Sequence, residues 1–185
     1  KTNSGALAAA GNNWLTDFGT VYMKNYHQAG MPQTAASFGL EYRDPNFWWI
    51  GANVNYLANS YIDFANILRT DNFSLDSNTG DNYSGATPES VRDILKQEKF
   101  DDFTLVNLTG GKSWRISKAN RNTVGFFASI NNVFDVRYKT GGFEQSRKAN
   151  FADLQADNAN GTPSFGSKYF YGYGRTAFVN FYINF

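Results

Sequence analysis

Few side chains in this sequence have the types and spacing that catalysis requires. His27 is the only histidine, and a catalytic triad or a multi-histidine metal site needs partner residues around the imidazole. The sequence contains no GxSxG elbow, Walker phosphate loop or GxGxxG turn. We therefore expect no enzymatic activity, and a hydrolase activity carried by a His27–carboxylate pair is kept as the less favoured alternative.

Residues 76–81 have some of the oxygen-bearing side chains of a calcium loop. Asp76 and Asn78 stand at alternate positions, but Gly80 is fifth where an EF-hand loop has its glycine sixth, and Thr87 stands where that loop has its final glutamate. Thiolate metal sites are impossible because the chain has no cysteine. A plain turn-rich loop is the favoured interpretation, and neither a metal site nor a cofactor is predicted.

The last long loop and the strand after it combine aromatic and basic residues that could contact a ligand or a partner. Aromatic rings near cations suit glycans or peptides, and they suit the aromatic girdle of a membrane interface equally well. Both interpretations stay open. The candidate residues are Phe143, Arg147, Phe151, Tyr169 and Tyr171.

A short helix is predicted directly after Thr87. Thr87 can cap it, and Pro88 fits the first helical position. Val91, Ile94 and Leu95 share one face of this helix. That face either packs the loop onto the mouth of a barrel formed by the strands or docks a lipoprotein lid, and packing is favoured because small apolar faces are usually packed.

The elements that must position these residues are strands, because apolar and polar residues alternate with a period of two. In residues 176–185 every second residue is apolar, and the residues between them are mainly polar. The other segments with this pattern are 36–43, 48–56, 104–116 and 124–131, with a weaker one near Phe18 to Tyr26. The sequence therefore predicts an all-β fold with about six antiparallel strands.

Strands with one apolar and one polar face are typical of a barrel in the bacterial outer membrane. Mean hydropathy is −0.48, and no apolar run approaches the roughly 18 residues of a membrane helix. The formal net charge of +1 gives no reason to expect nucleic-acid binding. The predicted lipid-facing residues are Phe38, Leu40, Trp48, Ile50, Val54, Val106, Leu108, Val124, Phe126, Ile130, Val179, Phe181 and Ile183.

The connections between the predicted strands alternate in length. Turn-forming residues follow Arg43 and precede Thr123, whereas the connections at about 66–100 and 135–170 are long and are predicted to be extracellular. The predicted organisation is an extended or loop segment at 1–17, followed by barrel strands and these two loops at 18–185.

Two features do not fit a simple closed barrel. Lys112 falls in the apolar register of its strand, and a bulge at Gly110 and Gly111 would re-aim it. Six strands are also too few, because membrane barrels begin at about eight strands and lipid cannot satisfy open sheet edges. We therefore expect an antiparallel transmembrane segment that forms the C-terminal part of a larger barrel.

Several segments together resemble one family. They are PQTAAS at 32–37, RDPNFWWIG at 43–51, ASINNVFD at 128–135, GGFEQSR at 141–147 and the last strand. On these residues the chain resembles the C-terminal barrel portion of a TonB-dependent outer-membrane receptor, of the type that works with a surface lipoprotein. The resemblance covers about residues 18–185.

The resemblance implies a section of a 22-stranded barrel with a plugged lumen that imports a nutrient such as a glycan, peptide or chelate. The implied partners are outer-membrane lipid, the remainder of the barrel and its plug, TonB acting through that plug, the barrel-assembly machinery and a surface lipoprotein. Phe181, Ile183 and Phe185 resemble the signal that the assembly machinery reads, and anchoring at the membrane surface is the alternative role.

Two other functions are kept as alternatives. The chain could be a structural or interaction subunit of an outer-membrane assembly. It could also be a hydrolase on a small closed barrel, in which case His27 would carry the activity.

Overall fold

The computed structural model describes residues 20–116, 122–145, 149–161, 163–164 and 166–185. This part of the chain is mostly antiparallel β-sheet with a few short helices, which is compatible with the predicted all-β class. The segment predicted at 1–17 lies outside the described residues. None of the helices in the described part is long and apolar enough to cross a membrane.

The chain divides into two compact units. What we call the sheet unit consists of Met31–Ser60, Phe100–Thr140 and Tyr171–Phe185. What we call the loop unit consists of the described residues within Lys1–Gly30, Tyr61–Lys99 and Gly141–Phe170.

Five strands form the main sheet, and every neighbouring pair is antiparallel. They are β1 (Thr34–Arg43), β2 (Trp48–Ala58), β3 (Phe103–Arg115), β4 (Thr123–Asn131) and β7 (Thr176–Asn184). Their order in the sheet is β1-β2-β3-β4-β7. Five of the six predicted strands are therefore confirmed. Within the described residues, β1 and β7 each pair on one side only.

Short and long connections leave opposite ends of this sheet. Residues 44–47 join β1 to β2 in a tight turn, where the Asp44 N–H donates to the Trp48 carbonyl at 2.9 Å and the Phe47 N–H donates to the Asp44 carbonyl at 3.0 Å. Residues 116–122 join β3 to β4 at the same end, and most of that turn lies outside the described residues. At the other end, residues 59–102 connect β2 to β3 and residues 132–175 connect β4 to β7.

Asn132 fixes the corner where the chain leaves β4. Its φ is +49°, a left-handed conformation that asparagine adopts more readily than most residues. Its buried Oδ1 accepts from the Val136 N–H at 2.9 Å, and its Nδ2 donates to the carbonyls of Val136 and Tyr173 at 2.9 and 3.2 Å. This one amide therefore ties the end of β4 to the segment that leads into β7.

Two details of the predicted strands are wrong. Residues 20–26 form no strand, and Val21 makes only an isolated bridge with Thr70. Asn25, with a φ of +69°, interrupts extended backbone there. The predicted bulge is also absent, because Gly110 and Gly111 pair in unbroken register with Ile50 and Trp49 of β2.

The long connections contain the remaining elements. A second sheet pairs two short strands, β5 (Lys139–Phe143) and β6 (Lys168–Tyr171). The loop unit holds two 3-10 turns, Asn66–Arg69 and Asp71–Phe73, and two helices, α1 (Pro88–Ile94) and α2 (Phe151–Asn160).

Local capping explains where both helices begin. The Thr87 side chain accepts from the Ser90 N–H before α1, as predicted, and Asn150 accepts from the Asp153 N–H before α2. Gly161 ends α2 in a left-handed conformation with a φ of +69°.

The loop unit has a hydrophobic core of its own. Its buried residues are Leu68, Phe73, Leu95 and Phe151, and the partly buried Val91 and Ile94 of α1 pack against them. The apolar face of α1 therefore lies in the core of the loop unit itself, and its predicted packing onto a barrel mouth stays a prediction.

The carboxylate of Asp44, in the turn between β1 and β2, makes the stability of the fold depend on pH. The Asn46 N–H donates to Asp44 Oδ1 at 2.8 Å, and this hydrogen bond is the main cause that holds the pKa of Asp44 below its ordinary value of 3.8. A folded-state pKa below the unfolded one stabilises the fold at higher pH, and this stabilisation is lost as pH falls through the folded pKa.

We expect the difference in unfolding free energy between the wild type and Asp44→Ala to shrink as pH is lowered from about 5 to about 2. Denaturant titrations of the folded protein at each pH measure this difference. Asp44→Asn is the matched control, because its amide oxygen still accepts from the Asn46 N–H but does not titrate. A difference that stays constant over this pH range would contradict the prediction.

Candidate functional site

One face of the main sheet is apolar across all five strands. The pairing register places side chains of this face in rows, such as Leu40, Ala52, Leu108, Ile130 and Ala177. The two adjoining rows, which contain Ile50 and Phe38, are also apolar, and Lys112 lies in the row beyond that of Ile50. All of the predicted lipid-facing residues lie on this face. In each strand they are the alternate residues that the pairing register places in these rows.

The side chains of this apolar face are exposed on β1 and β7, and many of those on β3 and β4 are half-buried. The exposed fractions are 65% for Phe38, 67% for Leu40, 52% for Ile50, 54% for Val179 and 77% for Phe181. Monomeric soluble proteins rarely expose so continuous an apolar surface, and such surfaces mark contact with a membrane or with another protein. The apolar face is therefore the principal candidate site.

The opposite face of the sheet is polar over much of its area. Asn53 donates to Ser37 Oγ at 2.9 Å and accepts from the Asn55 side chain at 2.5 Å. Glu41 and Arg43 of β1 form an exposed ion pair. Amide and hydroxyl groups in this arrangement suit contact with water or with a polar surface.

An aromatic cluster crosses the polar face from Trp49, near the start of β2, to Phe178, near the start of β7. The rings of Trp49 and Phe127 lie 5.9 Å apart between centroids, and those of Phe127 and Phe178 lie 6.2 Å apart. Glycines make room for large rings on this face, since a Cβ on Gly125 would lie 2.5 Å from the Tyr182 ring. The polar face therefore contains close contacts between aromatic rings and glycines in addition to its hydrogen-bonding groups.

The predicted assembly signal occupies the end of the apolar face. Phe181 and Ile183 project from β7 on this face, and Phe185 follows the strand. Phe185 is 95% exposed. Their exposure makes these side chains accessible, and recognition by the assembly machinery stays a prediction.

A buried ion pair joins the two long connections within the loop unit. Arg69 is 4% exposed, and its Nη1 and Nη2 donate to the two carboxylate oxygens of Glu144 in a bidentate pair. Nη2 also donates to the Leu95 carbonyl at 3.0 Å, and Glu144 Oε2 accepts from the Ala65 N–H at 3.0 Å. These contacts connect residues that are 75 positions apart in the sequence.

Aromatic rings and charge complete the surroundings of Arg69. Its guanidinium lies 4.9 Å from the Tyr26 ring centroid and 5.3 Å from that of Phe64. Burial opposes the charged guanidinium, but the hydrogen bonds and charge of Glu144 outweigh burial and raise the pKa of Arg69 above its ordinary value. Arg69 is therefore a permanent cation, and Glu144 compensates its charge.

Two cavities adjoin this ion pair. Arg69, together with Tyr22 and Asp71, lines one of about 330 Å³. Glu144, together with Asp157 and Tyr169, lines another of about 260 Å³. Both are large enough for a few waters or a small polar group. Sequence analysis did not predict this ion pair, because the contact joins residues that are far apart in the sequence.

Three of the predicted ligand-loop residues, Phe143, Tyr169 and Tyr171, belong to the two-stranded sheet of β5 and β6. Phe143 is exposed and lies against Phe170, with ring centroids 6.0 Å apart. Tyr169 is half-buried and donates to Glu98 at 2.7 Å. Tyr171 belongs to the sheet unit, where the Arg137 guanidinium lies 4.7 Å from its ring.

Phe151 requires a correction. Its ring is fully buried in the core of the loop unit, where it lies edge-on to Phe73 with centroids 6.1 Å apart. It therefore stabilises the unit and is not accessible to a ligand. Arg147 lies outside the described residues.

The other candidates from the sequence have structural roles in the loop unit. The His27 ring stacks on Tyr61 with centroids 4.0 Å apart, and the backbone N–H and carbonyl of His27 both bond the Gln97 side chain. Residues 76–81 form a turn in which the Asp76 N–H donates to the Asp81 carbonyl at 2.8 Å. In the described ranges, no three His, Cys, Asp or Glu side chains are grouped as metal ligands.

Comparisons of this chain with protein-family models, with curated proteins and with solved structures found no match.

The buried ion pair leads to a prediction about stability. Glu144→Ala leaves the Arg69 charge buried without its partner, and this should reduce the opening free energy of the loop unit by about 3–5 kcal/mol. Hydrogen exchange of the backbone amides in residues 61–99 measures that free energy.

Arg92→Ala is the matched control, because Arg92 is an exposed arginine in the same unit and its loss should change exchange by less than about 0.5 kcal/mol. The double variant Arg69→Met/Glu144→Leu should recover part of the loss, since it removes both charges. Equal effects of Glu144→Ala and Arg92→Ala would show that the pair does not hold the unit together.

Proposed function

We propose that this chain is a wall section of a TonB-dependent receptor in the bacterial outer membrane, which imports a nutrient such as a glycan, peptide or chelate. The observation that carries the proposal is the continuous, exposed apolar face of the main sheet, opposite a largely polar face. In a membrane barrel the first face meets lipid and the second faces the lumen.

The lengths of the strands support this interpretation. The five strands contain 10, 11, 13, 9 and 9 residues, whereas strands of globular proteins most often have about five or six. A tilted strand needs about 9–11 residues to cross a bilayer. Every strand of the main sheet is thus long enough to span it.

The connections support the same interpretation. Barrels of this class have short turns on the periplasmic side and longer loops outside the cell. The turn at residues 44–47 and the folded connections at residues 59–102 and 132–175 follow that arrangement. Residues of the loop unit would then be available to cargo or to a surface lipoprotein, while a plug and TonB would couple import to energy.

The two edge strands of the sheet, β1 and β7, support the proposal that the sheet is part of a larger barrel. In lipid every backbone N–H and C=O must be paired within the protein, so β1 and β7 each need a further strand. In the proposal, other strands of a closed barrel of about 22 strands supply those partners.

Spin labels can test the orientation of the sheet directly, because this chain contains no cysteine. Ile50→Cys and Asn53→Cys lie on opposite faces of β2. In the receptor that contains this segment, reconstituted in vesicles, we expect a label at position 50 to collide mainly with lipid-soluble oxygen. A label at position 53 should collide mainly with a water-soluble nickel chelate.

The matched pair Leu40→Cys and Ser37→Cys repeats the comparison on β1, where Leu40 lies on the apolar face and Ser37 on the polar face. Equal accessibility of the two faces to the nickel chelate would contradict the proposal. Restricted access to both reagents at positions 40 and 50 would indicate protein contact in place of lipid.

A further inference from the structure

A groove crosses the apolar face of the main sheet. Its volume is about 430 Å³ and its walls include Trp48, Ile50, Leu108 and Ile130. Gly110 and Ala128, which are paired with each other across β3 and β4, lie between these larger side chains. The groove exists because the two small residues interrupt a surface of large ones.

One end of this groove carries a cation. Lys112 lines the groove and is the one charged residue that the register places on the apolar face of the five strands. It lies in a row between Trp48 and Phe126, and its Nζ lies 5.4 Å from the ring centroid of Trp114. Lys112, which breaks the apolar pattern of its strand, therefore lies among aromatic side chains.

Within the described residues, Lys112 forms no ion pair. Asp44, in the turn between β1 and β2, interacts electrostatically with Lys112, but its carboxylate already accepts from Asn46 and from the Tyr42 hydroxyl. An ionisable side chain on a membrane-facing surface is costly unless it has a partner. An anion from outside the chain would provide that partner.

We propose that this groove binds an anionic glycerophospholipid, with the lipid phosphate against the Lys112 ammonium and part of an acyl chain in the groove. The inference rests on the proposed function, because it requires the apolar face to meet lipid. Charge complementarity selects an anion, and the adjoining apolar walls select an amphiphile over a free ion. Lys112 pairs with Trp48, the first residue of β2, and its ammonium is therefore within reach of a headgroup, because lysine side chains extend toward the interface.

Quenching of Trp114 fluorescence by brominated lipids can test this site. The receptor containing this segment is reconstituted in vesicles with brominated phosphatidylglycerol or brominated phosphatidylcholine, and the Trp114→Phe variant is subtracted to isolate the signal. A single lysine near the surface favours an anionic lipid by about fivefold. We expect that preference in the wild type and in Lys112→Arg, and its loss in Lys112→Gln.

Two matched pairs of variants separate charge from shape. Arg115→Gln removes a charge from the polar face at the same end of β3 and should leave the lipid preference unchanged. Ala128→Leu fills the groove and should weaken phosphatidylglycerol binding, whereas Ala52→Leu makes the same change on the same face outside the groove and should not.

The possible failures are distinct. Absence of Trp114 quenching by both lipids would overturn the proposed function, because the apolar face would then not meet lipid. Equal quenching by both lipids that Lys112→Gln does not alter would overturn the lipid site alone. Full competition by inorganic phosphate would overturn the lipid assignment and indicate a site for free phosphate.

Discussion

The exposed apolar face of the main sheet is the constraint that every other feature of the sheet unit must satisfy. Apolar surface in water costs free energy in proportion to its area, about 25 cal/mol per Å², and here it extends over five adjacent strands. In a soluble domain a second layer of helices or strands would cover such a face. The side chains of β1 are exposed along both faces of the strand, so the described chain provides no such layer there. In the barrel that we propose, hydrocarbon as the neighbouring solvent would remove this cost, and the polar face would meet the lumen.

The loop unit obeys a different rule, because it has its own core and its own charge compensation. Two connections that are far apart in the sequence contribute to one cluster of buried residues, with Leu68 and Leu95 from the first and Phe151 from the second. Arg69 and Glu144 add a pair whose removal on one side leaves a buried charge. Long connections that share a core and an ion pair act as one folded body, which gives any surface they present a fixed geometry.

Features of the sheet could be predicted from the sequence because strand alternation is local. The period of two assigns each side chain to a face before any partner strand is known, and so Leu40, Ile50 and Phe181 could be placed on one face. The failures arise where a local pattern competes with context. Residues 20–26 alternate weakly, and Asn25 with its positive φ interrupts them. Phe151 resembles the exposed aromatic Phe143 in type, and only the long-range packing of the loop unit determines that it is buried. The Arg69–Glu144 contact lies beyond prediction from one sequence for the same reason.

Lys112 shows how an exception to a pattern can carry information. Alternation alone suggests that a bulge should move this lysine to the polar face, since a charge among apolar residues is unfavourable. The unbroken pairing of Gly110 and Gly111 with β2 excludes that solution, so the chain retains the charge on its apolar face. A soluble protein could hydrate such a lysine at little cost, and the residue would then have no significance. On a membrane-facing wall it has a cost that only an anion at the interface offsets, and the aromatic neighbours and the adjoining groove determine where that anion would lie.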